Sequence, residues 1–467
     1  MEKDNTERSV IDLLRESVST AGPGGRLPSV RTIMRTLHVS PMTVQHAMRQ
    51  LVAEGLIEVT ASRGAFVARR PHGDVAAPDL AWQSVALGAR TVPDETLPEL
   101  LAVPDPDIIT LSSGYLDAAL QPVGLLGAAL ARAGRRPAAW DSGPVEGRTE
   151  LRAWFAAEAG GGFRAADMVV CPGGQAALST AFRALNAPGD PVLVEAPTYL
   201  GAIAAARNAG LRVVPVPADA DGVRPDLLAA AFARTGARLF YCQPLYANPH
   251  GGVLAADRRG AVLHAVQQAG AFLLEDDWAR DLTIEGAVPP PLAAEDVHGH
   301  VIYLRSVTKS AAPGLRVASI GARGAAGARL RAARTLDDFF VSGPLQETAL
   351  DVVTSPAWRR HRTTVRQGLM ARRDALLHAF DRYLPDLRPA VVPAGGLHLW
   401  VRLPDGVDDV VLAAAAAAHG VVVHAGRPWY PADPPAPHLR LTYGAVAPET
   451  LDEGVHRLAR AFATIRR

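Results

Sequence analysis

A chain of 467 residues that is 48% hydrophobic and 20% charged has an ordinary globular composition and the length for two or three domains; it is neither disordered nor fibrous. Its net charge of +1 excludes binding to polyanions by bulk charge, so any contact with nucleic acid must come from a local surface. No apolar run approaches the roughly 20 residues of a membrane span, and the opening residues lack the apolar core of a signal peptide, which predicts a cytoplasmic location. The two cysteines, Cys171 and Cys242, sit at the edges of apolar segments and read as small core residues, with neither a disulfide nor a metal site implied.

Along residues 1–70, Val10, Leu13, Leu14 and Val18 repeat at helical spacing and predict a short first helix before the Gly22-Pro23-Gly24-Gly25 break. Ser29 is placed to cap a second helix with an apolar face of Val30, Ile33, Met34 and Leu37. After a turn at His38-Val39, Ser40 caps a third helix with Pro41 at its first position. Val44, Ala47, Met48 and Leu51 form the inner face of that helix, and Thr43, Gln45, His46, Arg49 and Gln50 its outer face. Two short apolar segments, Leu56-Ile57-Glu58-Val59 and Ala65-Phe66-Val67-Ala68, flank Ala61-Ser62-Arg63-Gly64 and predict a hairpin with a basic tip.

This winged helix-turn-helix pattern resembles the DNA-binding domain of GntR-type regulators. The resemblance is carried by Arg26-Leu27-Pro28-Ser29-Val30-Arg31, Val39-Ser40-Pro41-Met42-Thr43-Val44, Leu51-Val52-Ala53-Glu54-Gly55-Leu56-Ile57 and Gly64-Ala65-Phe66-Val67. It implies a partner, double-stranded operator DNA, and points to Arg31, Thr43, Gln45, His46, Arg49 and Arg63 as the residues that meet it. Pro41 stands where the family often has arginine.

Residues 71–80, with Pro71, His72, Gly73, Asp74 and Pro78, read as a short polar connection, and residues 81–467 as a second part. From Leu80 to Leu101 the pattern predicts short helices. Beyond them, apolar runs at 168–171, 192–194, 213–216, 239–242, 272–274 and 301–304 alternate with helical stretches, which predicts an α/β fold with a mainly parallel sheet. Chemistry in such sheets collects at the carboxyl ends of the strands.

The last of these runs leads into Arg305-Ser306-Val307-Thr308-Lys309-Ser310, followed by Pro313-Gly314-Leu315-Arg316. An isolated lysine between hydroxyl residues at a strand end suits an amine that bonds covalently to a phosphorylated carbonyl cofactor. Such an amine must be partly desolvated to lose its proton, and Ser306, Thr308 and Arg316 are placed to bind a phosphate. After the first run, Pro172-Gly173-Gly174-Gln175 is a glycine turn that opens a helix, whose free N–H groups hold phosphate well.

Ser306-Val307-Thr308-Lys309 with Pro313-Gly314-Leu315-Arg316 resembles the cofactor-lysine motif of fold-type I pyridoxal-phosphate enzymes. Glu195-Ala196-Pro197-Thr198-Tyr199 and Asn248-Pro249-His250-Gly251 are similar to two further motifs of that family. The resemblance implies pyridoxal 5'-phosphate on Lys309, Gly174 and Gln175 at its phosphate, Tyr199 stacked on its ring, and Asn248 donating to its ring oxygen. In the same register Asp276 of Glu275-Asp276-Asp277-Trp278 faces the pyridine nitrogen, while Asp277 reads as a solvated acid. Trp278 stands where the family has a tyrosine whose hydroxyl donates to the ring oxygen; indole N–H is also a donor. Gly114 resembles a glycine near the substrate, after the strand-like run 108–111.

In the last third, 395–400 and 438–443 read as strands of a smaller α+β domain, and Arg440 alternates against Leu439 and Leu441. It resembles the arginine that clamps a substrate carboxylate. Gly147-Arg148-Thr149-Glu150-Leu151-Arg152 fits a family motif too, with Ser142 where a tyrosine is usual. Taken together, a GntR-type winged helix before an aminotransferase-like domain resembles the MocR-type transcription regulators. The resemblance implies a head-to-tail homodimer that senses an amine, an amino acid or pyridoxal phosphate itself, with an active aminotransferase as the alternative.

Overall fold

The structure, a computed structural model, describes residues 2–60, 63–68, 79–87, 105, 107–387, 389 and 391–465. The chain divides into two units, Met1–Thr91 and Val92–Arg467. The polar connection at 71–78 and residues 88–101 of the expected short helices lie outside the described residues; Trp82–Leu87 is helical.

In the first unit, α1 (Glu2–Ala21) is 20 residues long, which corrects the short helix expected. Its apolar stripe begins only at Val10, and the polar residues before it extend the helix without marking the core. α2 (Val30–Leu37) and α3 (Pro41–Ala53) start where hydroxyls satisfy free backbone donors. Ser29 Oγ accepts from Thr32 N and Ser40 Oγ from Thr43 N, both at 3.2 Å. His38, in the left-handed region at φ 53°, ends α2 and turns the chain. Val10, Leu14, Ile33, Val44, Ala47, Met48 and Leu51 bury together with Ile57, Ala65 and Val67 of the hairpin β1 (Ile57–Thr60) and β2 (Gly64–Val67). The loop before α2 adds to the hairpin edge, with Gly24 N donating to Val67 O at 3.0 Å and Leu27 N to Ala65 O at 2.9 Å.

In the second unit, β3 (Ile109–Thr110) is followed by the strands β4 (Met168–Cys171), β5 (Pro191–Ala196), β6 (Arg212–Asp219), β7 (Gly222–Val223), β8 (Leu239–Cys242), β9 (Phe272–Asp277), β10 (Val301–Ser306) and β11 (Ala318–Gly321). Strands β4 to β11 form one sheet in the order β4-β11-β10-β9-β8-β5-β6-β7. From β10 to β6 neighbouring strands are parallel, whereas β11 is antiparallel to both of its neighbours. β11 was missed in the sequence because Ala-Ser-Ile-Gly is short and follows the lysine motif directly. Helices cover both faces, which is why these strands read as unbroken apolar runs. Cys171 and Cys242 are free and buried, and burial pushes the Cys171 thiol up to about 12.

The smaller lobe pairs β12 (His398–Arg402) with β15 (His438–Thr442), which also pairs β14 (His424–Ala425), while β13 (Val421–Val422) lies parallel to β3. Leu399, Val401, Leu439 and Leu441 face its core. By the period of two, Arg440 faces the other way. Among the described residues no helix is long and apolar enough to cross a membrane.

β9 runs past its apolar stretch through three acids, and all three are buried. Alternation sends Glu275 and Asp277 to one face and Asp276 to the other. Glu275 accepts from Leu292 N and Ala293 N, both at 2.9 Å, at the start of the helix Leu292–Glu295. The expectation that Asp277 lies in solvent is overturned: it accepts from Tyr303 Oη at 2.6 Å and from Arg280 Nε, with Arg305 Nη1 at 3.9 Å. A run of acids keeps its charge inside the protein only where such partners exist. Asp277→Ala removes the buried acceptor of this cluster and should cost about 3–5 kcal/mol of stability. A lowered denaturation midpoint is the readout, and Asp276→Ala, at the edge of a cavity, should lower it much less.

Candidate functional site

A cavity of about 450 Å3 opens at the carboxyl ends of the parallel strands, where the smaller lobe and the segment 110–115 close over them. Gly174 and Gln175 reach it after β4, Tyr199 after β5 and Asn248 after β8. Asp276 and Trp278 reach it from β9, Ser306, Thr308 and Lys309 from β10, and Arg316 from the turn before β11. Gly114 and Arg440 line it from the covering side, beside Ser112, Tyr115 and His398. The structure thus brings together every cofactor and substrate residue that the sequence singled out.

At one end, the helix Gly174–Leu185 begins without a side-chain cap, because its cap residue is Gly173 at φ 100°. A Cβ on Gly173 would stand 2.5 Å from Arg316 Nη2, so both the backbone angle and the close approach of the guanidinium require glycine. Arg316 Nη2 donates to Pro172 O at 2.9 Å. Thr308 Oγ1 is buried with no partner in the chain, and Ser306 Oγ accepts from Thr308 N at 3.2 Å. Uncapped helix, arginine and hydroxyls together suit a phosphate. Tyr199 Oη donates to Gln175 Oε1 at 3.2 Å and Gln175 Nε2 to Gly201 O at 2.8 Å, which fixes the phenol ring at the cavity wall.

In the middle, Asp276 Oδ2 accepts from Tyr241 Oη at 2.8 Å and Gln243 Nε2 at 2.9 Å. Burial pushes its carboxyl up to about 6 against the pull of these two bonds. Gln243 also accepts from Asn248 N at 2.9 Å and donates its own backbone N–H to the buried Glu195 at 2.8 Å, so one residue sets both the acid and the asparagine turn. Lys309 Nζ donates to Gly114 O at 2.8 Å and lies 3.8 Å from the Tyr115 ring centroid. Burial, reinforced by Arg440 and Arg316, pulls its amine down to about 7.

At the other end, Arg440 is buried, and each of its contacts is neutral. Nε donates to Asn248 Oδ1 at 3.0 Å, Nη1 to Ser112 O at 2.9 Å, and Nη2 stands 3.0 Å from the His398 ring nitrogens. Burial pulls the guanidinium down to about 9, still charged at neutral pH. Because an arginine N–H can only donate, Asn248 must turn its oxygen to Arg440, which leaves its NH2 free for another acceptor. Trp278, stacked on His398 at 5.6 Å, has a buried indole N–H with no partner in the chain.

These residues fit a phosphorylated pyridine aldehyde. Gly174, Gln175, Ser306, Thr308 and Arg316 would hold the phosphate, Asp276 the ring nitrogen, Asn248 and Trp278 the ring oxygen, and Lys309 the carbonyl. Sequence reasoning passed over Tyr115, Tyr241, Gln243 and His398. Gln243 directly follows β8 and carried the same strand-end signal as Asp276, and His398 alternates between Leu397 and Leu399 as Arg440 does between its leucines. Tyr241 lies inside an apolar run and carried no signal.

In the first unit, Arg31, Gln45, His46 and Arg49 are exposed on α2 and α3, and Arg63 is exposed at the hairpin tip. Arg49 Nε reaches Gln45 O at 3.4 Å. Thr43 is half-buried, its hydroxyl 2.8 Å from Ser40 Oγ in the cap of α3.

Residues 106–458 match the family described as aminotransferase class I and II, and residues 6–67 match bacterial regulatory proteins of the gntR family. The chain is 25% identical to the HTH-type transcriptional regulator YdfD of Bacillus subtilis, over 98% of this chain and 96% of that one. It is 32% identical to a 2-aminoadipate transaminase of Thermus thermophilus, over 82% of this chain and 97% of that one. Among solved structures, the α-aminoadipate aminotransferase LysN of Thermus thermophilus, complexed with N-(5'-phosphopyridoxyl)-L-leucine, superposes with a TM-score of 0.77 at 32% identity, covering 83% of this chain and 99% of that one. The multiple substrate aminotransferase of Thermococcus profundus gives 0.74 at 27% identity, covering 82% and 97%.

Only the neutral amine attacks a carbonyl, so the pH dependence of cofactor uptake reports Lys309 directly. The rate at which apoprotein takes up pyridoxal phosphate should rise as pH passes through about 7, where the buried Lys309 amine loses its proton. Stopped-flow absorbance across that range measures it, and a rise centred near the ordinary lysine value would refute the assignment.

Proposed function

Since the chain belongs to the aminotransferase class I and II family and carries a gntR-family module ahead of it, as MocR-type regulators do, we propose that it is a DNA-binding transcription regulator whose pyridoxal 5'-phosphate site senses an amine ligand. The observation that carries the ligand class is Arg440, a buried cation with only neutral partners, facing Lys309 across Gly114. A Cβ at Gly114 would stand 3.3 Å from Lys309 Nζ and 3.9 Å from Arg440 Nη2, so glycine keeps open the gap between the two. An amine that also bears a carboxylate fits that gap, with its amine toward Lys309 and its carboxylate on Arg440.

When bound, pyridoxal phosphate supplies an electron sink for the α-carbon of an amine. In this reading the residues of the cavity divide the work among them. Asp276, held by Tyr241 and Gln243, would be the carboxylate that keeps a proton on the pyridine nitrogen. Arg316, Ser306 and Thr308 would hold the phosphate, and Asn248 and Trp278 would donate to the ring oxygen. Lys309 Nζ, buried at the cavity with its amine pulled down to about 7, would be the group that accepts a proton there. Because an acid and a buried lysine amine line the same cavity, a working aminotransferase is the second reading.

We place the homodimer in the same proposal. Trp140 and Phe339 are each 69% exposed, on segments whose backbones meet at Ala139 and Gly343, and a second copy of the chain would cover them. The exposed basic residues Arg31, Arg49 and Arg63 supply the local DNA surface that a nearly neutral chain needs.

The visible cofactor band should be fixed by borohydride and absent from Lys309→Ala; its retention there would reject Lys309 as the attachment point. Arg49→Ala and Arg63→Ala should weaken operator binding and leave that band unchanged. If Arg49 meets a phosphate, its removal should make the salt slope shallower by about one; if it meets a base, removal should relax specificity at one position by about 1–3 kcal/mol. Titration of amino acids and of pyridoxal phosphate, followed by absorbance and operator binding together, tests the sensor. A ligand that changes operator affinity 5–150-fold must itself bind the DNA complex differently by that factor, about 1–3 kcal/mol, and Arg440→Ala should blunt the response. Steady two-substrate transamination with unchanged operator affinity would replace the regulator reading with the enzyme reading.

A further inference from the structure

We infer that His398 is a positioning residue for carboxylate ligands, holding the Arg440 guanidinium so that one N–H on each terminal nitrogen faces the cavity. The inference rests on the reading that this site receives an amine bearing a carboxylate. Of the five N–H groups of a guanidinium, the bonds to Asn248 Oδ1, Ser112 O and the His398 ring take three. The two that remain, one on each terminal nitrogen, form the fork that accepts a carboxylate through two parallel bonds. Without the His398 ring, the rigid guanidinium plane could still tilt about the line through its Nε and Nη1 bonds, which carries Nη2 out of place and leaves its inner N–H without an acceptor.

The choice of an imidazole matters because of charge. An acid in this place would pair with Arg440 and compete with the ligand, and a cation would repel it. His398 is buried and adds no charge: burial first, and then Arg440, Lys309 and His424, hold its ring far below the usual histidine range. The groups that face it are Arg440, paired across the strands at Trp400 and at His424, Lys309 across the cavity, and Trp278, whose indole stacks on the ring at 21°. On the far side of the guanidinium, the Trp429 ring lies 5.1 Å from its central carbon, so Arg440 is braced from behind and steered from the side.

The test uses the holoprotein and two amines that differ by a carboxylate, alanine and ethylamine, each titrated against the visible cofactor band. In the wild type, alanine should perturb the band at much lower concentration than ethylamine. In His398→Phe, which keeps an aromatic ring against Trp278 but no acceptor, the advantage of alanine should fall by about tenfold. The response to ethylamine should move less than about threefold, since it makes no use of Arg440. His398→Asn, an uncharged acceptor, should recover part of the loss. A purely structural role would shift both amines together. Preservation of the alanine advantage in His398→Phe overturns the inference, as does a His398→Asn protein no better than His398→Phe. If the wild type responds to neither amine, the sensor reading fails and takes this inference with it.

Discussion

Three consecutive carboxylates inside a packed sheet impose one constraint, which is that each must find its own compensation. A strand places successive side chains on opposite faces. Glu275 and Asp277 therefore meet backbone donors and arginines on one side, and Asp276 meets Tyr241 and Gln243 on the other. The first side welds β9 to the helix at Leu292 and to the Arg280 and Arg305 cluster. The second side delivers a carboxylate to the cavity floor with only one oxygen engaged by the protein. The same few residues thus fix the centre of the sheet and orient the acid of the site.

From that floor outward, the site is assembled by strand ends and one continuous line of buried hydrogen bonds. Glu195 accepts from Gln243, Gln243 orients both Asp276 and the Asn248 turn, Asn248 accepts from Arg440, and Arg440 leans on His398. Buried networks of this kind leave few alternative rotamers once every member is satisfied. Outside that line, the Trp278 N–H and the Thr308 hydroxyl have no partner in the chain, and both residues line the cavity.

Much of this was legible in the sequence because the signals were local. Ser29 and Ser40 announced their helices, the apolar runs announced the parallel strands, and the residues just after those runs proved to lie around one cavity. What was hidden depended on partners distant in the chain. Asp277 looked like a surface acid because nothing nearby in sequence reveals Tyr303 or Arg305. β11 pairs antiparallel between two strands of opposite origin, and Ala-Ser-Ile-Gly gives no hint of that. The length of α1 was underestimated because the apolar spacing in its sequence begins only at Val10. His398 was in plain view as a polar residue between leucines, yet its meaning came only from the guanidinium across the strand pair.

A positive charge enclosed by neutral acceptors is also an affinity for whatever anion the solution offers. Until its own ligand arrives, Arg440 presents two unshared N–H groups to the cavity. Acetate, formate or citrate carries the same planar oxygens as an amino acid. Binding constants measured for any carboxylate ligand in such buffers are therefore apparent values, weakened in proportion to the occupancy of the fork by the medium. The choice of buffer anion is thus part of the chemistry of this site, and affinities for carboxylate ligands become comparable only when that anion is held fixed.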